Sequence, residues 1–257
     1  MIQQFSRFRS LWHSRGQGLD ELAGLETLDQ TLAWAAHGRL LGFNASALRF
    51  RVIYSLARLI RATEFIETGT YHAATAICAS NSLRIPVRSC EASLNNCLAA
   101  KFVTYGRADI QITHALSERW LPAEVERQRR RKGSRPFFYL DAHPGDDAEN
   151  WPVRAELGLI LKLDSFLVVI DDFSLPEKPT ATGCQWAGQL NPTMIQSDLM
   201  AGGIREIYYP SYSPEFETGH GRTGFAVLYR SPELPGNLPL EQFPFNLLKV
   251  FPLGGRA

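Results

Sequence analysis

The sequence has little of what marks several large classes of protein. It contains four cysteines in 257 residues (Cys78, Cys90, Cys97 and Cys184) and no Cys-x-x-Cys pair. Neither a disulfide framework nor a structural zinc site is therefore expected, and a reducing compartment fits. The sequence has no run of 18 apolar residues, which is about the length needed to cross a membrane. Its N-terminus also lacks the apolar segment of a signal peptide. We expect a cytoplasmic protein without a membrane span.

Charge and composition describe an ordinary folded protein. Lysine and arginine together number 27 and aspartate and glutamate 26, which gives a net charge of +1. Because nucleic-acid-binding proteins normally carry a strong basic excess, we do not expect a nucleic-acid partner. Apolar residues make up 45% and charged residues 21% of the chain, as in typical globular domains. The length is sufficient for one α/β domain with a large core.

Two kinds of hydrophobic pattern divide the chain. From Leu19 to about Arg61, apolar residues recur at helical spacing and predict two or three helices, interrupted near Gly42. Further on, short apolar runs alternate with segments long enough for a helix, which is typical of a parallel sheet covered on both faces. These runs lie at 65–66, 85–87, 110–112, 137–140 and 166–170. Two later runs, 204–209 and 223–228, have no helical pattern between them and predict an antiparallel pair.

We therefore predict an α/β, Rossmann-like doubly wound sheet of seven strands, mostly parallel with an antiparallel terminal pair, preceded by N-terminal helices. Three segments follow from this: an N-terminal helical cap (1–62), the Rossmann-like domain (63–230) and a tail rich in proline and glycine (231–257). The cap could cover a substrate site, form the contact of a homodimer, or simply pack in the core.

The sequence leaves the roles of two further segments undecided. The basic run 127–135 either meets an anion or ends a solvated helix, and the loop 210–224 either contacts a substrate or joins two edge strands.

Acidic residues stand at the ends of the first two predicted strands. In a parallel sheet, ligands bind beyond the carboxyl ends of the strands. Gly69 permits a tight turn and a close approach of the backbone to a ligand, and the following helix offers free N–H groups. Glu67 suits a cationic or zwitterionic ligand. Glu91, 22 residues beyond Gly69, can accept both hydroxyls of a ribose.

Further acids follow the fourth and fifth predicted strands. Asp141 and His143 come after one strand, and Asp171 and Asp172 come in tandem after the other. These strands are neighbours in doubly wound sheets, so the three carboxylates are expected to meet. They would repel one another strongly unless a cation joined them. Oxygen ligands with room for water favour Mg²⁺, Ca²⁺ or Mn²⁺.

These strand-end residues, taken in their order along the chain, resemble those of a class I S-adenosylmethionine-dependent methyltransferase. The resemblance extends from about Thr63 to Arg230. The sequence FIETGTY at 65–71 is similar to the glycine-containing first motif of catechol-type O-methyltransferases, and Glu91 matches the acid that holds the cofactor ribose. LDAH at 140–143 and IDDF at 170–173 resemble the metal-binding acids of Mg²⁺-dependent O-methyltransferases. These include the catechol type and the macrocin type, which acts on sugars.

The resemblance implies an enzyme that transfers a methyl group from S-adenosylmethionine to a hydroxyl of a small-molecule acceptor such as a sugar, with help from Mg²⁺ or another divalent cation. It also implies a role for each matching residue. Those implied for the cofactor are Glu67, Gly69, Thr70, Tyr71, Glu91, Ala115 and Asp141. Those implied for the metal are Asp141, Asp171 and Asp172, and the catalytic candidates are His143 and Asp141.

Two positions depart from the family pattern. Ala73 stands where a second glycine is usual, and Pro144 stands where the catechol type carries a lysine base. His143 or Asp146 could replace that base, because histidine exchanges protons near neutral pH. Three alternatives stay open: a metal-independent methyltransferase of the same fold, a non-catalytic binding module, and a metallohydrolase that uses Asp141, His143 and Asp171.

Overall fold

The computed structural model describes residues 27, 42–143, 151–174, 190–212, 224–234 and 237–254. Most of the predicted N-terminal cap, Asp146 and most of the 210–224 loop lie outside these residues.

Eight strands form a single sheet. They are β1 (Glu64–Thr68), β2 (Val87–Glu91), β3 (Ile110–His114), β4 (Pro136–Leu140), β5 (Phe166–Ile170), β6 (Glu206–Pro210), β7 (Ala226–Arg230) and β8 (Leu248–Pro252). Their order in the sheet is β3-β2-β1-β4-β5-β7-β6-β8. The first five strands pair in parallel. The last three enter through antiparallel pairings of β7 with β5, β6 with β7 and β8 with β6.

Six α-helices lie within the described residues. They are α1 (Ala47–Leu59), α2 (Ala74–Leu83), α3 (Leu94–Val103), α4 (Ser117–Arg130), α5 (Pro152–Ile160) and α6 (Pro192–Ala201). Three of them begin at side-chain caps, where Ser46, Ser93 and Asn191 accept a backbone N–H of the first turn. None of these helices is long and apolar enough to cross a membrane.

The mostly parallel Rossmann-like α/β architecture is confirmed, but the count of seven strands is wrong. The eighth strand, β8, lies in the segment predicted to be an irregular tail and pairs with β6 along its whole length. The prolines and glycines around it hid a five-residue strand, because such residues usually mark turns and loops.

The sheet is covered on both faces, which explains its continuous apolar strands. In β4, Phe137 and Tyr139 point into a core with α1 and α2, whereas Phe138 and Leu140 point into a second core with α4 and α5. Successive strand residues face opposite sides of a sheet, so a strand buried on both faces has no polar alternation.

The basic run 127–135 begins in the last turn of α4 and is paired with nearby acids, away from the acids at the carboxyl ends of the strands. Arg127 donates to Glu64, the first residue of β1, and Arg130 donates to Glu126 within α4. Arg135 lies 3.8 Å from Glu233. These contacts favour the interpretation of the run as a helix end with local ion pairs.

Candidate active site

The turn after β1 lies against the end of β4. Gly69 has a φ of +82°, and a Cβ atom added there would overlap the carbonyl oxygen of Asp141 and lie 2.7 Å from its carbonyl carbon. The approach is fixed by the backbone N–H of Asp141, which donates to the Thr68 carbonyl at 3.0 Å. A glycine is therefore required at this point by both conformation and space.

Ala73 adopts the backbone shape for which a glycine is normally used. Its φ is +64° and its side chain is completely buried at the start of α2. The left-handed conformation costs a residue with a Cβ roughly 1–2 kcal/mol. Ala73 thus adopts a backbone conformation that a glycine would adopt without this cost.

Glu67 is a buried carboxyl beneath this turn. It is 1% exposed, and the Ser89 hydroxyl donates to its Oε2 at 2.6 Å. The Ser89 oxygen also lies 2.5 Å from the Thr70 hydroxyl, which links Glu67 to the turn. Burial raises the pKa of Glu67 to about 8, although the Ser89 hydrogen bond lowers it in part. The site can therefore hold Glu67 in its neutral form until a cation approaches.

Glu91 at the end of β2 is oriented by two backbone groups. Its Oε2 accepts the N–H of Tyr71 at 2.7 Å, and its Oε1 accepts the N–H of Ser93 at 2.8 Å. Each carboxylate oxygen has a further lone-pair position for a ligand hydroxyl. Ala115 lies beside it, since its N–H donates to the Glu91 carbonyl at 3.0 Å.

Three side chains at the ends of β4 and β5 form a cluster that could hold a metal ion. One ligand atom from each of Asp141, His143 and Asp172 can be chosen so that all lie within 4.8 Å of one another, and His143 Nε2 is hydrogen-bonded to Asp172 Oδ2. Burial, followed by the charges of Asp171 and Asp172, raises the pKa of Asp141 well above its ordinary value. Two carboxylates and one imidazole suit a divalent cation, which would relieve this repulsion.

Asp171 is bound differently from the residue that follows it. Its carboxylate accepts from the Arg49 guanidinium, from the Tyr139 hydroxyl at 2.5 Å and from the Asn44 amide at 3.2 Å. It also accepts the backbone N–H of Asp172 at 2.8 Å. A carboxylate has about four lone-pair positions, and four donors of the protein already use those of Asp171.

A small pocket opens beside this cluster. Asp141, His143 and Asp172 line it together with Trp151 and Glu156. Glu156 is 1% exposed, and the hydroxyl groups of Ser117 and Thr68 lie beside its carboxylate. Burial raises the pKa of Glu156 to about 7. The pocket is thus bordered by acids that are costly to ionise without a positive partner.

The structure brings most of the residues predicted from the sequence to one edge of the sheet. Those at the ends of β1 and β2 surround the Gly69 turn, and those at the ends of β4 and β5 surround the pocket. Asp141 belongs to both groups, because its carbonyl oxygen touches Gly69 and its carboxyl joins the cluster.

Sequence reasoning missed Arg49, Tyr139, Ser89 and Glu156. Arg49 gave a signal that could have been used. Its spacing puts it on the same face of the helix as Val52, Ile53 and Leu56. The sequence pattern therefore puts a charged side chain on the buried face of that helix. Such a residue needs a buried partner of opposite charge.

Comparison with solved structures identifies the fold. The O-methyltransferase from Bacillus cereus in complex with SAH is 17% identical, covers 79% of this chain and 90% of its own, and superposes with a TM-score of 0.50. A putative O-methyltransferase from Klebsiella pneumoniae (15% identical; 79% and 89% covered) gives 0.47. The amino pentose methyltransferase CalS10 from Micromonospora echinaspora (12%; 78% and 96%) gives 0.48. No family model and no curated protein sequence matches the chain.

The protein therefore has the fold of the class I methyltransferases, and the predicted resemblance is confirmed at the level of that fold. At 17% identity, the Bacillus cereus structure establishes shared architecture only.

Proposed function

We propose that this protein is an S-adenosylmethionine-dependent methyltransferase that methylates a hydroxyl of a small polar acceptor such as a sugar, assisted by a divalent cation. The observation that carries the proposal is the double position of Asp141. Its backbone packs against the Gly69 turn, beside which the cofactor would lie, and its carboxyl belongs to the Asp141, His143 and Asp172 cluster. A methyl donor and an activated hydroxyl would thus meet at one strand end.

The cofactor would be held by residues on β1, β2 and the following turns. Glu67 would face the ammonium group of the methionine part, and Glu91 would accept the ribose hydroxyls. The backbone of Gly69, Thr70 and Tyr71 would line the cofactor, and Ala115 would border the adenine. The buried Glu67 supports this assignment, because an approaching ammonium group would offset the cost of ionising it.

The cation would be held by Asp141, His143 and Asp172. This set replaces the one inferred from the resemblance, in which Asp171 was a ligand, because the lone pairs of Asp171 are taken by Arg49 and its neighbours. A bound divalent cation lowers the pKa of a coordinated hydroxyl and orients it. The chain itself would hold the acceptor beside the methyl donor. Much of the rate enhancement would come from this positioning.

A metal-independent methyltransferase is the second candidate, and the hydrogen bond between His143 and Asp172 favours it. Burial lowers the pKa of His143, but this hydrogen bond and the charges of Asp172 and Asp171 outweigh that effect and raise it. A histidine oriented by a carboxylate can take a proton from the acceptor directly. The metallohydrolase alternative has less support, since it needs Asp171 as a ligand.

Isothermal titration of the full chain with S-adenosylmethionine, with and without Mn²⁺ or Mg²⁺, tests the proposal. We expect cofactor binding by the wild type and its loss in Glu91→Ala. Formation of S-adenosylhomocysteine with a panel of sugars and catechols would then identify the acceptor class. Activity that survives a chelator would favour the metal-independent candidate, and a folded wild type that binds no cofactor would overturn both. The cytoplasmic location, a homodimer and the absence of a nucleic-acid partner stay predictions from the sequence.

A further inference from the structure

Arg49 on α1 is a buried cation that contacts the end of β5. Its side chain is 0% exposed, and its guanidinium donates to Asp171 Oδ1. The same guanidinium lies 5.0 Å from the ring centre of Phe225, just before β7. Because a buried charge is stable only when it is paired and hydrogen-bonded, the position of Asp171 is closely coupled to that of Arg49.

Asp171 in turn holds the backbone of Asp172. The N–H of Asp172 donates to Asp171 Oδ1 at 2.8 Å, and the φ of Asp172 is +53°. A residue with a side chain adopts this left-handed conformation rarely, and keeps it only where its surroundings enforce it. In a right-handed conformation, the Asp172 side chain would leave the backbone in another direction and lose its contact with His143.

Tyr139 and Asn44 complete the support. The Tyr139 hydroxyl donates to Asp171 Oδ2 at 2.5 Å, and the Asn44 amide lies within 3.3 Å of both carboxylate oxygens. The support therefore comes from α1, from the turn before it and from β4. A carboxylate held by donors from three elements cannot rotate without breaking several hydrogen bonds at once.

We propose that Arg49 is a positioning residue for the cation site: it fixes Asp171, and Asp171 fixes the turn that directs the Asp172 carboxylate towards Asp141 and His143. This inference rests on the proposed function, because it assumes that the cluster binds a cation. It assigns the tandem aspartates different tasks, with Asp172 as a ligand and Asp171 as its support. Removing residues that support metal ligands typically weakens metal binding about 10–100-fold.

Titration of the full chain with Mn²⁺, followed by the electron paramagnetic resonance signal of the free ion, measures cation affinity without catalysis. We expect Arg49→Met to weaken Mn²⁺ binding by about 10–100-fold and Arg49→Lys to restore part of the loss. Tyr139→Phe removes one hydrogen bond to Asp171 and should weaken binding by about fivefold. Cofactor affinity measured without cation should stay close to that of the wild type. Arg88→Met, which removes the partly buried ion pair with Glu124, should leave Mn²⁺ affinity unchanged.

The outcomes separate this inference from the proposed function. If the wild type binds Mn²⁺ and folded Arg49→Met binds it equally well, the inference is wrong, even if the variant melts at a lower temperature. Arg49→Met leaves Asp171 buried without its cation and could fail to fold. In that case unchanged Mn²⁺ affinity in both Arg49→Lys and Tyr139→Phe would be decisive against it. A wild type that binds cofactor but no Mn²⁺ refutes the cation site itself and this inference with it.

Discussion

A methyl group added at Gly69 should separate the two strand ends that form the site. In Gly69→Ala, the new Cβ would overlap the carbonyl oxygen of Asp141 and lie 2.7 Å from its carbonyl carbon. Both atoms are backbone, and the Asp141 N–H is hydrogen-bonded to Thr68 at 3.0 Å. No side chain can rotate to make room, so β4 or the turn must move.

The cost has two parts, and a second glycine separates them. An alanine at this φ loses roughly 1–2 kcal/mol to the left-handed conformation, partly offset by about 0.4–1 kcal/mol because the unfolded chain becomes less flexible. Gly106 has almost the same φ, +84°, but a Cβ there would meet nothing within 4 Å. Gly106→Ala should therefore cost about 0–1.6 kcal/mol, whereas Gly69→Ala should cost about 1–3 kcal/mol more from overpacking.

Urea denaturation of the two variants and the wild type measures this difference, and isothermal titration measures cofactor binding. We expect Gly106→Ala to bind S-adenosylmethionine like the wild type and Gly69→Ala to bind it much more weakly, because the turn is displaced. Equal stability losses in the two variants, together with normal cofactor affinity in Gly69→Ala, would refute the reasoning about this turn.

Three further predictions concern the charges of the site. Burial raises the pKa of Glu67 from its ordinary 4.5 to about 8, so the folded protein keeps a proton that the unfolded chain loses, and stability should fall as the pH rises between these values. Glu67→Gln should reduce that fall by up to about 1.4 kcal/mol per pH unit in urea denaturation; a pH profile parallel to that of the wild type would contradict it. Because His143 would supply a nitrogen ligand in the proposed site, Mn²⁺ should bind more tightly than Mg²⁺ in calorimetry, and tighter Mg²⁺ binding would argue against the proposed ligand set. Asp172→Asn should weaken Mn²⁺ binding at least tenfold. The control Asp198→Asn changes an acid paired with Arg154 on the protein surface and should leave Mn²⁺ binding unchanged. Equal effects of the two changes would show that the site does not depend on Asp172.

The alternation of strands and helices along the chain could be predicted because burial of the strands on both faces leaves a clear trace in the sequence. The run Phe137–Leu140 has no polar alternation, and the same holds for Phe166–Ile170, where both strands are fully buried. The strand β8 left no such trace. Its burial is partial, with Lys249 and Pro252 exposed, so a short edge strand between prolines could not be distinguished from a loop.

The candidate cation site marks a physical limit of prediction from sequence. The tandem acids after a buried strand predicted that both join Asp141, but consecutive side chains leave the backbone in different directions. Which of the two could act as a ligand in the proposed site depends on the left-handed φ of Asp172 and on an arginine 122 residues before Asp171. The resemblance to metal-dependent O-methyltransferases gave both acids the same task, since their pattern contains no information about Arg49. Once Arg49 is known to be buried, its charge requires a partner. Asp171 is that partner, and the proposed site therefore leaves the cation to Asp172.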